Sequence, residues 1–219
     1  MHEAYQFLSS EVRRIDSNLK GTAYLLSPER RRFDRYASMV LATATAPLVV
    51  AACTAVRLQD GHAALIQLPR VGLGGEIFGQ YKVRSMHPDA DRQTAPRHRK
   101  SPHDPRITPI GKFLRKHSID ELPQFHNVWD GSMSLVAASR PISQAEYEWG
   151  CKADKLFGPG YVSMRPGMTG HEQINGRGNC TPEERIEFVK CFTEEASPGL
   201  DRHILLRTAR VLLNQDGAF

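Results

Sequence analysis

The longest apolar run, Tyr36 to Val56 (YASMVLATATAPLVVAACTAV), carries no charged residue. As one straight helix it would reach about 30 Å, just enough to cover the hydrocarbon core of a bilayer. Pro47, at its centre, removes one helical hydrogen bond and clashes with the preceding turn, so the pattern predicts a break or bend there. Arg30, Arg31, Arg32 and Arg35 precede the run and Arg57 follows it, and the positive-inside tendency keeps both ends cytoplasmic. A hairpin that dips into the bilayer and returns satisfies both features. A buried soluble helix competes with it, because Ala and Thr contribute little insertion energy compared with Leu or Ile.

The remainder is polar and broken into short elements. Residues 1–30 read as a polar extension, weakly helical from Glu3 to Leu19. From Ala64 to Met86, short extended pieces are separated by Gly72, Gly74, Gly75 and Gly79, which predicts a hairpin-like element. No G-x-x-x-x-G-K-[ST] run is present, so these glycines read as turns. His87 to Pro105 holds four prolines and almost no large apolar side chain, the mark of an exposed loop.

Ile110, Phe113 and Leu114, then Leu122, Phe125, Val128 and Trp129, recur at helical spacing with breaks near Ser118 and Gly131. They predict two short amphipathic helices. Pro182 to Phe192 and Asp201 to Leu213 predict two more, with start signals at Thr181 and Pro198. The fold class that results is α+β and helix-rich.

Composition narrows the partners. The 219 residues are 40% apolar, which rules out disorder throughout, and 29 basic against 24 acidic residues give a net charge of +5. Phosphates, lipid headgroups and nucleic acid all suit that balance. A helix-turn-helix signal, an aromatic RNA-binding strand pair and zinc-finger spacing are missing, so no nucleic-acid partner is expected. Cys53, Cys151, Cys180 and Cys191 form no C-x-x-C pair and read as reduced thiols. The nine scattered histidines make no short chelating pair, and no structural transition metal is expected. Met1 to Arg35 lacks the apolar core of a secretory signal, which leaves the N-terminus in the cytoplasm.

Candidate chemistry concentrates between Arg106 and Pro141. The adjacent carboxylates Asp120 and Glu121 stand beside Arg115, Lys116 and His117. Phosphoryl transfer needs an oxygen nucleophile, a divalent cation and fixed positive groups around the phosphate oxygens. Two neighbouring carboxylates can divide the first two tasks. Ser118 to Glu121 also fits the S-x-x-E capping box, in which both polar ends merely satisfy free amides at a helix start. Pro123 weakens that second reading without removing it.

This run, with the segments around it, resembles the bacterial sugar transferase family, the monotopic phosphoglycosyl transferases that start glycan assembly on a lipid carrier. The likeness is carried in order by Arg31 to Asp34, Pro47, Arg70 to Gly72, Tyr81 to Met86, Asp104 to Arg115, Ser118 to Gln124, Asn127 and Val128, Met133 to Val136, Arg165 to Gly170, and Leu205 to Thr208. The resemblance implies a re-entrant membrane helix over residues 31–58 and a catalytic domain over residues 59–219 on the cytoplasmic face of the bacterial inner membrane. It further implies transfer of a sugar 1-phosphate from a UDP-sugar to polyprenyl (undecaprenyl) phosphate, with UMP released.

By position, Asp120 would be the nucleophile and Glu121 the ligand of Mg2+. Lys82, Arg84, Arg115, Arg140, Arg165 and Arg177 would serve substrate phosphate, although Arg165 and Arg177 could equally brace the site. Membrane lipids would be partners, and a homo-oligomer is allowed. The chain departs from the family pattern at Ala46, at Glu194 to Gly199, and at Ala137 to Ser139, where one extra residue leaves the register of Arg140 open. That last departure admits an alternative, a catalytically impaired membrane-bound relative acting as a scaffold.

Overall fold

The computed structural model describes residues 21–88, 90, 104–148, 159–175 and 182–214. The weak helix expected from Glu3 to Leu19, most of the His87 to Pro105 loop, Cys151, Cys180 and Arg177 lie outside these residues. A short helix α1 (Thr22–Leu25) leads into α2 (Pro28–Asp60), a single helix of 33 residues. Ser27 caps its start by accepting the Arg30 amide, Pro28 supplies the fixed φ of a first turn, and Gly61 ends it at φ 75°.

The expected break at Pro47 does not divide α2. Proline removes only one donor from the ladder, and the helix continues through it. Thr43 and Thr45 on the preceding turn donate their hydroxyls to the carbonyls of Met39 and Leu41. The helix also begins earlier than its apolar run, so that from Gly21 onward the polar lead-in joins the core through Leu25 and Arg30.

One stripe of α2 faces protein: Arg30, Asp34 and Ser38 near its start, Ala52 and Val56 near its end. Phe33, Tyr36, Met39, Val40, Leu41, Leu48 and Val50 stay exposed. By length and composition α2 can cross a membrane, with only 11% of its most apolar window buried against protein.

After α2 the chain forms the expected hairpin, β1 (Leu65–Val71) antiparallel to β2 (Ile77–Val83), with Leu65 opposite Val83 and Val71 opposite Ile77. Gly74 and Gly75 turn the connection at positive φ. The two short amphipathic helices follow as α3 (Pro109–Lys116) and α4 (Gln124–Asp130), separated by a 3-10 turn at Ile119–Glu121. Both expected breaks occur, at Ser118 (φ 54°) and at Gly131 (φ 101°).

A buried strand β3 (Ser134–Ala137) pairs in parallel with β4 (Gly167–Gly170). Short helices α5 (Pro159–Val162) and α6 (His171–Asn175) flank β4, and α7 (Pro182–Glu195) and α8 (Pro198–Asn214) close the fold. The main core gathers Phe125, Val128, Met133, Leu135, Val136, Phe192 and Ile204. A second cluster joins Ala52 and Val56 of α2 to Val83, Leu114 and Ile119. The architecture is a helix-rich α+β domain with a long apolar helix at its N-terminal side.

Candidate active site

Three elements converge where β2 ends. Asn127 of α4 holds the strand from the side, its Oδ1 accepting the Tyr81 amide at 2.9 Å and its Nδ2 donating to the Gly79 carbonyl at 2.8 Å. That clamp brings Lys82 beside the turn at 119–121, and Lys82 Nζ lies 2.6 Å from Glu121 Oε1. Ile119 anchors the turn in the second cluster, while the carboxyl-bearing Asp120 is 5% exposed and Glu121 opens toward solvent with its side chain 41% exposed.

The capping-box reading of Ser118 to Glu121 is corrected here. Ser118 adopts a left-handed conformation and its hydroxyl makes no cap, so only the short 3-10 turn follows it and no α-helix starts at that point. Pro123 instead precedes α4, and the two carboxylates sit on the short turn before it. Glu121 accepts from a lysine on another element, Lys82.

Arg115 completes the group. It lies in the last turn of α3, donates Nε–H to Ser85 Oγ at 2.8 Å, and sits within electrostatic reach of Asp120, Asp104 and Glu121. Burial lowers its pKa, since the surroundings strip water from the charged form, and these carboxylates offset that only in part. Asp104, which opens the D-P-R run, is buried and pairs with Arg106, which holds its carboxyl at about 2. A desolvated guanidinium beside a buried carboxylate is suited to an arriving anion of several charges.

The other cations flagged in the sequence have different surroundings. Arg84 grips Asp60 with both Nη atoms at 2.6 Å and donates Nε–H to the Ala63 carbonyl, tying β2 to the end of α2. Arg140 pairs with Glu146 at 2.9 Å and approaches the buried Glu172 at 3.6 Å. Arg165 donates Nε–H to the Gly131 carbonyl at 2.7 Å and lines a cavity of about 280 Å³ with Gly72, Phe78 and Ser132. Both β2 and α4 have the carboxylate turn near one end and this cavity near the other. The structure therefore gathers Asp120, Glu121, Lys82 and Arg115, sets Arg84 just past the end of β2, and commits Arg140 and Arg165 to other contacts.

For magnesium the donor set is sparse. Among the described residues no group of three or more His, Cys, Asp or Glu side chains could hold a metal ion. Magnesium commonly takes only one or two protein carboxylates and completes its shell with water and substrate phosphate, so an outward-facing Glu121 beside Asp120 fits that habit.

The sequence marks Ser85 and Asp104 only as members of motif segments and Arg30 only as a flanking charge, with no place in a site or core. Charged residues at Arg30 and Asp34, four apart at the edge of an apolar run, were the available sign that this edge is buried.

Comparison with known proteins decides the lineage. Residues 27–215 match the family model described as bacterial sugar transferase. The chain belongs to the bacterial sugar transferase family.

Similar family members include the undecaprenyl-phosphate galactose phosphotransferase of Salmonella typhimurium, 36% identical over 94% of this chain and 44% of that protein. The galactosyl transferase CpsE of Streptococcus agalactiae is 42% identical over 73% of this chain and 37% of its own length. The UDP-glucose:undecaprenyl-phosphate glucose-1-phosphate transferase of Caulobacter vibrioides is 35% identical over 87% of this chain and 72% of its length. The chain thus spans less than half the length of the first two family members.

Proposed function

We propose that the protein transfers a sugar 1-phosphate from a UDP-sugar to undecaprenyl phosphate on the cytoplasmic face of the inner membrane. The observation that carries this reading is the buried Asp120 beside the desolvated guanidinium of Arg115, on a domain rooted to an apolar helix. The names of the family members support the substrate class, since they pair undecaprenyl phosphate with galactose or glucose phosphate.

In the first step a carboxylate oxygen of Asp120 attacks the sugar-bearing phosphorus of the donor. The bond from that phosphorus to the bridging oxygen breaks, and UMP leaves with the electron pair. In the second step a phosphate oxygen of the carrier attacks the same phosphorus, a diphosphate bond forms, and the Asp120 carboxylate is released. Splitting one exchange between two large substrates in this way lets each use the same site in turn.

Arg115 faces the charge that builds on the phosphoryl oxygens, and Lys82 both restrains Glu121 and adds a second cation. Bound magnesium, held by Glu121 and donor phosphate, would screen the diphosphate charge. Burial of Asp120 keeps water from competing for the intermediate.

The membrane reading rests on the two ends of α2. Both pack onto one body, Arg30 and Asp34 at one end and Ala52 and Val56 at the other, with exposed apolar side chains between. Ends held by a single domain belong on one side of a bilayer, which favours a re-entrant path over a crossing. Cysteines placed at both ends should label from the cytoplasm alone; labelling from opposite sides would mean a crossing.

The activity is tested with membranes given a panel of UDP-sugars, undecaprenyl phosphate and magnesium. UMP release that Asp120→Asn abolishes is the expected result, together with a phosphosugar mass on intact protein given donor alone. Equal release by the variant would remove Asp120 from the reaction.

A further inference from the structure

We infer that Ser85 is the positioning residue that aims Arg115 at the phosphoryl group, a role that rests on the transfer reaction proposed above. Ser85 lies two residues beyond β2 and is 6% exposed. Its carbonyl accepts the Thr108 amide at 3.2 Å, and Thr108 in turn caps α3 through the Gly111 amide at 2.9 Å. Gly111 presses so closely on that carbonyl that a Cβ there would fall 1.9 Å from the Ser85 oxygen. The first turn of α3 is therefore fixed against the Ser85 backbone.

The last turn of the same helix returns to the Ser85 side chain. The hydroxyl accepts Nε–H of Arg115 at 2.8 Å, and this is the bond that sets the plane of the guanidinium. Among the described residues nothing accepts from the Nη hydrogens of Arg115, in contrast to Arg84, whose two Nη atoms are taken by Asp60. With Nε tethered, the paired Nη edge is the part left for oxygens of an anion held near Asp120. A guanidinium already oriented loses less freedom on binding than one that must be collected from several rotamers.

The backbone contacts of Ser85 survive substitution by alanine, so Ser85→Ala removes the aim and leaves the helix docked. Loss of a hydrogen bond to a charged group predicts about a tenfold fall in kcat for phosphosugar formation, with KM for the donor changed much less. Ser85→Thr, which keeps the hydroxyl, should restore most of the rate. The deciding measurement is a double-mutant cycle with Arg115→Lys, whose side chain has no Nε–H to receive. In that background Ser85→Ala should cost nothing further. An equal tenfold loss there, or a wild-type rate in Ser85→Ala alone, overturns the proposal.

A second readout does not depend on turnover. The Arg115 Nε–H resonance of the full chain in detergent should exchange slowly with water, and Ser85→Ala should make it exchange fast. If wild-type protein releases no UMP yet this resonance behaves as stated, the transfer reading fails and the Ser85 tether stands. If the resonance exchanges equally fast in both proteins, the tether fails whatever the activity.

Discussion

The two ends of α2 are held to the same domain by opposite means. At the N-terminal end the contacts are charged and buried: Arg30 donates to Asp201 at 2.9 Å and to the Val136 carbonyl at 2.6 Å, Tyr24 donates to Asp201 at 2.7 Å, and Asp34 accepts the Leu135 amide. Arg31 adds two bonds to the carbonyls of Val128 and Trp129 at the end of α4. At the C-terminal end small apolar side chains, Ala52 and Val56, pack into Val83, Leu114 and Ile119, and the Asp60 to Arg84 pair lies at the rim. Polar bonds have direction and fix how the helix leaves the domain. Apolar contact has none, but it places the helix against Ile119, the residue before Asp120. One end sets orientation; the other forms the floor of the carboxylate turn.

The largest effect is expected at the charged end. Removing one partner of a buried ion pair strands the other, which costs about 3–5 kcal/mol, so Arg30→Ala should strongly lower the melting temperature and the yield of folded protein. Replacing Arg30 and Asp201 together with apolar residues of similar size should recover much of that loss. If Arg30→Ala melts within a few degrees of wild type, the N-terminal end is not the orienting one.

At the apolar end, Val56→Ala leaves a void beneath Ile119 and should cost about 1–2 kcal/mol. Because the same cluster supports the Asp120 turn, UMP release per folded molecule should fall with it. Leu48→Ala, at an exposed position in mid-helix, should leave domain stability unchanged and weaken retention in the membrane fraction. Equal effects of the two variants on thermal stability would erase the distinction between the end and the middle of α2.

At the rim, Arg84→Lys exchanges a bidentate grip on Asp60 for a single point charge and should cost about 1 kcal/mol. Activity should then decline in parallel with folded protein. A large rise in donor KM would instead place Arg84 on substrate phosphate, as its position in the family motif suggests.

The C-terminal half of this comparison was legible in the chain and the N-terminal half was not. Glycine at 74, 75 and 131, the start signals at Thr181 and Pro198, and apolar spacing through Val128 marked the hairpin and the helices, because each acts within a few residues of itself. Of the break or bend expected at Pro47, the break does not occur, since one missing donor does not outweigh the hydrogen bonds on either side of it. Asp120 and Glu121 stood out, but local pattern could not separate a cap from a site; the deciding partner of Glu121 is Lys82, 39 positions away. Arg30 and Asp201 are 171 positions apart, and only the folded arrangement of α2, β3 and α8 shows that they meet.

Acid gives the mildest probe of the carboxylate side. Asp104, which faces Arg115 and pairs with Arg106, has its pKa depressed to about 2 in the folded state against about 3.9 in an unfolded chain. A depressed carboxyl stabilises the fold above the unfolded value, and that contribution is lost as pH falls from about 4 to 2. The pair is only two residues apart, so part of it persists on unfolding and the net contribution at pH 7 should be about 0.5 kcal/mol. Asp104→Asn should therefore lower stability by about that amount at neutrality and leave it nearly unchanged at pH 2, which flattens the profile of the folded domain between pH 4 and 2. An unchanged acid limb in the variant would mean that other carboxylates carry this transition, and that the side of the molecule facing Arg115 is no more acid-sensitive than the charged root of α2.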